Sequence, residues 1–170
     1  MDNSVLTLAT TRRGEIAPQN LGESYLKFEV GQGTLVGLPM KQVQEVMVLQ
    51  PRYLTPIPNM RPGLLGLMHR RSRVLWVIDL AMLLDVGRLD YSPQQYDIVI
   101  LRTGSISVAA AVKRVDGIAW ALPDSLQPVP SHVTKGLIPY SRACILQSQD
   151  VIFMLDGEAI LQAPLLQHSS

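Results

Sequence analysis

The chain carries the same order of short motifs twice, and this repeat constrains its fold more than any other feature of the 170 residues. Matching segments lie about 70 to 77 residues apart. The pairs are residues 25–30 with 96–101, 41–46 with 113–118, 54–58 with 126–130, 66–68 with 136–138, and 77–80 with 154–157. Two copies are too few for a solenoid, which needs at least three. The repeat therefore predicts two similar lobes packed as a pair.

Each copy begins with alternating apolar residues, which predict short strands joined by tight turns. The expected strands are residues 25–30 and 34–39 in the first copy, and about 97–102, 105–112 and 115–122 in the second. Met40, Val43, Val46 and Met47 fall at helical spacing and predict a short helix. A proline-rich loop, a hairpin and a short helix capped by an aspartate follow in both copies.

Residues 74–78 and 98–101 are apolar on both faces, so these strands must be covered on both sides. About five short strands per lobe, with turns every 8–12 residues, are typical of a small closed barrel. We therefore expect an all-β fold with short helices, made of two five-stranded β-barrels packed side by side. The domain bounds are expected as follows: a flexible N-terminal tail at 1–24, lobe one at about 25–87, lobe two at about 96–162, and a fraying C-terminal tail at 163–170. An exchange of terminal segments between the lobes stays open.

Composition and charge exclude several functional classes. A formal net charge of +1 gives no general attraction to nucleic acid or to an anionic membrane. Cys144 is the single cysteine, so an internal disulfide or a cysteine zinc cluster is excluded. The chain shows neither a signal-peptide core nor an apolar run near the roughly 20 residues of a membrane span. We expect a cytoplasmic protein.

No arrangement of residues points to catalysis. The sequence lacks the GxSxG, P-loop and GxGxxG patterns, and no acid is paired with a base at convincing spacing. His69, His132 and His168 are scattered, without the i, i+4 pairing of metal ligands. We expect no enzymatic activity, no catalytic residue, no metal and no cofactor.

A basic centre, His69-Arg-Arg71-Ser-Arg73, separates two apolar stretches of the first hairpin. Besides a solvated turn, two interpretations are open. Arginine anchors protein interfaces with its planar fork of donors, which favours a docking surface. The same charges could bind phosphate or nucleic acid, although aromatic residues make up only 5% of the chain and base stacking is disfavoured.

The order of these motifs resembles the CheW-like family of bacterial chemotaxis coupling proteins, over about residues 25–162. The family pattern has an opening strand, a strand ending in Leu-Pro, a Val-x-x-Val helix, an L-x-x-x-P segment and a G-(L/V)-I-N-L-R-G-x-V-(V/L)-P-V-(I/V)-D-L hairpin. Here these are residues 25–30, Gly37-Leu-Pro39, Val43-Gln-Glu-Val46, 54–58 and 66–80.

Four hairpin residues depart from that pattern, while Arg71 keeps the position of its arginine. The departures are His69 for asparagine, Arg70 for leucine, Ser72 for glycine and Trp76 for proline. If Ser72 adopts a positive φ, it costs on the order of 1 kcal/mol. These changes bear on the choice of partner more than on the fold.

The resemblance implies two SH3-like five-stranded barrels with an apolar seam and no catalytic activity. It implies an adaptor that couples the cytoplasmic helical tip of a methyl-accepting chemoreceptor to the regulatory domain of a CheA-type histidine kinase. The pathway would be chemotaxis, phototaxis or pilus motility. The receptor helices would lie in the groove between the lobes, and one barrel end would bind the kinase. The protein would be near the membrane through the receptor, without inserting.

For the receptor groove and seam, the candidate residues are Arg71, Val43, Val46, Gly66, Met68, Ile118 and Trp120, with Glu45 as an additional partner-binding candidate. Arg71 is expected to order the seam or to pair with an acidic or backbone group of the partner. The alternative function is a double barrel that binds a small anionic ligand or nucleic acid through residues 69–73.

Overall fold

The computed structural model describes residues 22–91 and 94–167, and almost all of the expected N-terminal tail lies outside this part. The first half contains β1 (Glu23–Gly31), β2 (Thr34–Pro39), β3 (Val43–Leu49), β4 (Leu64–Arg70), β5 (Arg73–Asp79) and helix α1 (Leu80–Leu83). The second half contains β6 (Tyr96–Thr103), β7 (Ile106–Val112), β8 (Arg114–Ala121), β9 (Leu126–Gln127), β10 (Ser141–Gln147), β11 (Asp150–Leu155) and helix α2 (Gly157–Leu161). The predicted all-β fold with short helices is confirmed.

The strands form two sheets, and each sheet draws on both copies of the repeat. The six-stranded sheet has the order β8-β1-β2-β11-β10-β9, and the five-stranded sheet the order β3-β6-β7-β5-β4. The opening hairpin β1-β2 joins the second copy through a parallel pairing of β2 with β11. In the same way β6-β7 joins the first copy through a parallel pairing of β7 with β5. Sheet boundaries therefore do not coincide with copy boundaries.

The largest core lies between the two sheets, and we call it the seam core. Its buried residues include Phe28 and Leu38 of the six-stranded sheet and Ile78 and Leu101 of the five-stranded sheet. Successive residues of β6 alternate between the seam core and a smaller core inside the five-stranded unit. This alternation explains why 98–101 is apolar at every position: both faces of the strand are buried.

The proline-rich segment after β3 covers an outer strand of the five-stranded sheet. The chain passes through a 3-10 turn at Pro51–Tyr53, and Thr55 then pairs with Leu67 of β4 through backbone hydrogen bonds of 2.8 and 2.9 Å. The second copy has the same device, since a 3-10 turn at Pro123–Ser125 leads into β9, which pairs with β10. Covering an open strand edge prevents unwanted pairing with other chains.

The helix expected over residues 40–47 is wrong. The structure has a 3-10 turn at Met40–Gln42 followed directly by the strand β3. Val46 pairs with Val99 and Met47 with Ile98, so neighbouring residues face the two different cores. Partial burial on both faces of this edge strand produced the apolar spacing that resembled a helix.

The C-terminal segment differs from the expected frayed end up to residue 167. Ala163 is buried, and Leu165 and Leu166 pack against the seam core. The Arg61 guanidinium donates hydrogen bonds to the carbonyl oxygens of Pro164 and Gln167, at 2.7 and 3.3 Å. The folded unit therefore continues to Gln167.

Replacing Ser72 with glycine is expected to stabilise the protein by about 1 kcal/mol. Arg71 and Ser72 form a two-residue turn with φ values of +52° and +66°, which glycine adopts without strain. Urea unfolding would measure the gain. Ser105→Gly is the matched control, because Ser105 lies in a two-residue hairpin turn without a positive φ. An equal gain in both variants would contradict the explanation from backbone strain.

Candidate functional site

One candidate surface is the end of the five-stranded unit, where an ion pair bridges its two edge strands. Arg70 of β4 donates two hydrogen bonds to the Glu45 carboxylate of β3, one of them from Nε to Oε1 at 3.1 Å. Arg71 Nε lies 3.7 Å from the same Oε1, and its side chain is 72% exposed. We call this end the basic mouth, defined by Lys41, Arg70, Arg71, Arg73 and Arg102.

Sequence reasoning named Arg70 only as part of the basic centre and missed its ion pair with Glu45. Glu45 was placed on a helix, but it lies on β3, and its main partner is Arg70. The hydrogen bonds from Arg70 hold the pKa of the Glu45 carboxyl below its ordinary value, although partial burial acts in the opposite direction. The signal was present in the sequence as an arginine where the family pattern has leucine.

A double-mutant cycle of Glu45→Gln and Arg70→Gln is expected to show favourable coupling at pH 7 and weaker coupling at pH 3. Because the folded-state pKa of Glu45 is lowered, this stability is present above its unfolded-state pKa, roughly 4.3, and is lost as pH falls through the folded-state value. Urea unfolding of the four proteins at both pH values measures the coupling. Coupling at pH 3 equal to that at pH 7 would show that charge is not its source.

Exposed apolar residues on β3 and β8 lie on the faces that form the seam core. Val46 is 43% exposed and pairs with Val99, a seam-core residue. Ile118 is 54% exposed and pairs with Leu26, also of the seam core. Residues opposite one another in an antiparallel pair point to the same face. The seam face of each sheet therefore extends past the buried core to solvent, and Trp120 continues it on β8.

The other apolar candidates support this surface from within. Met68 is 1% exposed inside the five-stranded unit, and Gly66 is buried directly beneath Thr55. Val43 is half-buried against the seam core. The structure therefore brings Arg71, Glu45, Val43 and Val46 together at one end of the five-stranded unit. It places Ile118 and Trp120 on the edge of the other sheet.

The other three cations of the basic mouth are Lys41, Arg73 and Arg102, and two exposed aliphatic residues lie on the same sheet. Lys41 and Arg102 line a cleft of about 370 Å³ together with Val43, Gln44 and Gly104. Arg73 Nη2 donates to the Ser105 carbonyl at 3.4 Å, which joins the β4-β5 turn to the β6-β7 turn. Val74 and Ile106 are exposed on the seam face of the same sheet. Sequence spacing could not show this cluster because its members come from separate turns.

A larger cleft of about 530 Å³ opens between the two sheets. Gln32, Arg88, Asp97 and Lys113 are among its lining residues. Cations and carboxyl groups are mixed here, and Lys113 Nζ lies 3.1 Å from the buried Glu29. Burial alone would raise the pKa of Glu29, but Lys113, the Gly33 amide and Arg114 together lower it. These contacts fix the junction of the sheets.

Within residues 22–91 and 94–167, no group of three or more histidine, cysteine, aspartate or glutamate side chains is placed to hold a metal ion. In the same part of the chain, neither helix has the length and apolarity needed to cross a membrane.

Comparison with known proteins agrees with the resemblance drawn from the motifs. The family model described as the CheW-like domain matches residues 24–165. The crystal structure of the scaffolding protein TtCheW from Thermoanaerobacter tengcongensis superposes with a TM-score of 0.68 at 20% identity, over 79% of this chain and 89% of that one. No curated protein sequence matches the chain. The predicted pair of SH3-like barrels is confirmed by this fold. Because the family model covers most of its length, the chain belongs to the CheW-like domain family.

Proposed function

We propose that the protein is a non-enzymatic, cytoplasmic signalling adaptor that couples a methyl-accepting chemoreceptor to a CheA-type histidine kinase. The observation that carries the proposal is the extension of both seam faces into solvent. Val46, Ile118 and Trp120 are exposed, whereas Val99 and Leu26, the cross-strand partners of Val46 and Ile118, are buried. Contiguous apolar surface of this kind marks interaction sites in soluble proteins.

The shape and chemistry of the surface support a helical partner. Aliphatic and indole side chains beside a packed seam can accept the apolar face of an amphipathic helix. Arg71 lies near Val46 because its Nε is 3.7 Å from Oε1 of the adjacent residue Glu45, and its guanidinium is exposed to solvent. Arginine and tryptophan are enriched among the residues that dominate binding energy at interfaces. The receptor tip is proposed to lie here, and the kinase regulatory domain at an end of one barrel.

The alternative is a module that binds a small anionic ligand or nucleic acid through residues 69–73. The observation in its favour is the cluster of cations at the basic mouth. Single-stranded nucleic acid is usually held on aromatic side chains as well. The residues that define the basic mouth include none.

Pull-down assays with the receptor's cytoplasmic fragment and the kinase regulatory domain, first identified by co-purification from the native cell, test the proposal. The wild-type protein is expected to bind both. Arg71→Ala should weaken receptor or kinase binding by about tenfold or more. Arg52→Ala is the control, since Arg52 is exposed and contacts only the neighbouring Tyr53 ring among described residues.

Two results would count against the proposal. Unchanged binding of both partners by a folded Arg71→Ala protein would remove Arg71 from the site. Failure of the wild-type protein to bind either partner, together with salt-dependent binding of an oligonucleotide, would favour the alternative.

A further inference from the structure

We propose that the basic mouth binds an acidic segment of the partner protein, and that Arg71, Arg73, Arg102 and Lys41 select that segment by its carboxylates. The inference deepens the proposed function and rests on it for the partner's identity. It assigns a selecting role to Arg73 of the basic centre, and to Arg102 and Lys41, two cations that the sequence did not place at the site.

The four selecting cations follow the strand order of the sheet. Lys41 precedes β3, Arg102 lies near the end of β6, Arg73 begins β5, and Arg71 follows β4. The Arg70–Glu45 ion pair joins the two outer strands of the order β3-β6-β7-β5-β4, so the row of cations curves around the end of a closed unit. Neighbouring strands are about 4.8 Å apart, which is close to the spacing of about 5.4 Å between carboxylates one helical turn apart. The row therefore fits a segment that carries several carboxylates close together.

Carboxylates of the described residues neutralise little of the positive charge of this row of cations. Arg73 and Arg102 donate to the carbonyl oxygens of Ser105 and Gly104, and neither forms an ion pair with a carboxylate of the described residues. Lys41 lies 3.8 Å from Glu23, with both side chains well exposed, and such pairs contribute little.

Arg70 has a different role from the four selecting cations, because it binds the Glu45 carboxylate at the mouth. Both oxygens of Glu45 accept hydrogen bonds from Arg70. Arg71 reaches only one of them, at 3.7 Å, and most of its side chain stays exposed. The substitution of leucine by arginine at position 70 thus leaves the charge of Arg71 available to a partner.

The surroundings favour a protein over other anions. Val46, Val74 and Ile106 are exposed on the seam face of the same sheet, so a partner that reaches the cations can also contact aliphatic side chains beside them. Protein interfaces combine apolar contact with complementary charge in this way.

Fluorescence anisotropy of the full chain with a labelled amphipathic peptide tests the inference. The peptide carries glutamates at i, i+4 spacing beside a leucine stripe, and a matched peptide carries glutamine instead. Binding of the glutamate peptide is expected to exceed that of the glutamine peptide about tenfold at about 30 mM salt, and to weaken at about 300 mM. The double variant Arg71→Gln/Arg73→Gln should lose most of this preference. The control Arg52→Gln/Lys135→Gln removes the same charge from exposed positions elsewhere and should keep it.

Each contrary outcome has one meaning. Equal losses in the two double variants would show general charge attraction and overturn the inference, as would tighter binding of a labelled single-stranded oligonucleotide. If the peptides fail to bind while the same protein still captures receptor and kinase, this inference fails and the proposed function stands. If the glutamate peptide binds and neither partner is captured, the proposed function fails instead.

Discussion

Replacing Gly66 with alanine is expected to destabilise the protein by at least about 3 kcal/mol. Gly66 has φ +142°, a conformation that residues with a side chain rarely adopt. A Cβ built there would lie 2.3 Å from the Thr55 carbonyl oxygen, which is backbone and cannot rotate away. The neighbouring Thr55–Leu67 pairing, which covers the outer strand, would have to open.

Gly117→Ala is the control that separates the cost of backbone strain from the cost of a steric clash with the Thr55 carbonyl. Gly117 has a nearly equal φ of +133°, but a Cβ there meets nothing within 4 Å. This variant should lose only about 1–2 kcal/mol, the contribution of backbone strain. Urea unfolding followed by circular dichroism measures both. Equal losses would show that the Thr55 segment moves aside at little cost and does not hold the edge closed.

The expected destabilisation by Gly66→Ala also affects how binding experiments with variants at this position are interpreted. Gly66 was predicted as a partner-binding residue, and the structure buries it beneath Thr55. A variant at this position would lose partner binding through unfolding of the barrel edge. Substitutions at exposed residues such as Arg71 and Val46 avoid this ambiguity.

The sequence predicts strands well where the two faces of a strand differ or where both are uniformly apolar. Residues 98–101 could be assigned because every position is apolar, and 34–39 because a glycine turn precedes it. The exchange of opening hairpins could not be derived, since it depends on parallel pairings such as Ile152 with Leu35 between residues far apart in the chain. Strand partners of this kind leave no local pattern.

The features of the candidate site also fall into those set by local sequence, which could be predicted, and those set by contacts between distant residues, which could not. The exposure of Arg71 follows from its place in a two-residue turn, which is a local property. The bond between Arg70 and Glu45 depends on closure of the five-stranded unit, which brings two edge strands together across 25 residues of chain. The repeat did place Asp79 and Asp156 correctly as N-caps, because helix capping is decided within one turn.

Asp79→Ala is expected to destabilise the protein by about 3 kcal/mol, because it removes more than a helix cap. Asp79 is completely buried. One carboxyl oxygen accepts from the Met82 amide at 3.3 Å, and the other accepts from the Leu89 amide at 2.8 Å and the Tyr91 hydroxyl at 2.6 Å. Burial, together with the bond to Asp79, raises the pKa of Tyr91. Alanine would leave the buried Leu89 amide without its acceptor.

The repeat supplies the control, because Asp156 occupies the equivalent position before α2. Among the described residues, its side chain accepts only from the amides of Glu158 and Ala159, so Asp156→Ala should cost about 1 kcal/mol, as for an ordinary N-cap. Tyr91→Phe isolates the hydroxyl and should also cost about 1 kcal/mol. Urea unfolding of the three variants measures these losses in the free energy of unfolding. If Asp79→Ala cost no more than Asp156→Ala, the carboxyl would act as a cap alone, and the segment from Leu89 to Tyr91 would be held by other contacts.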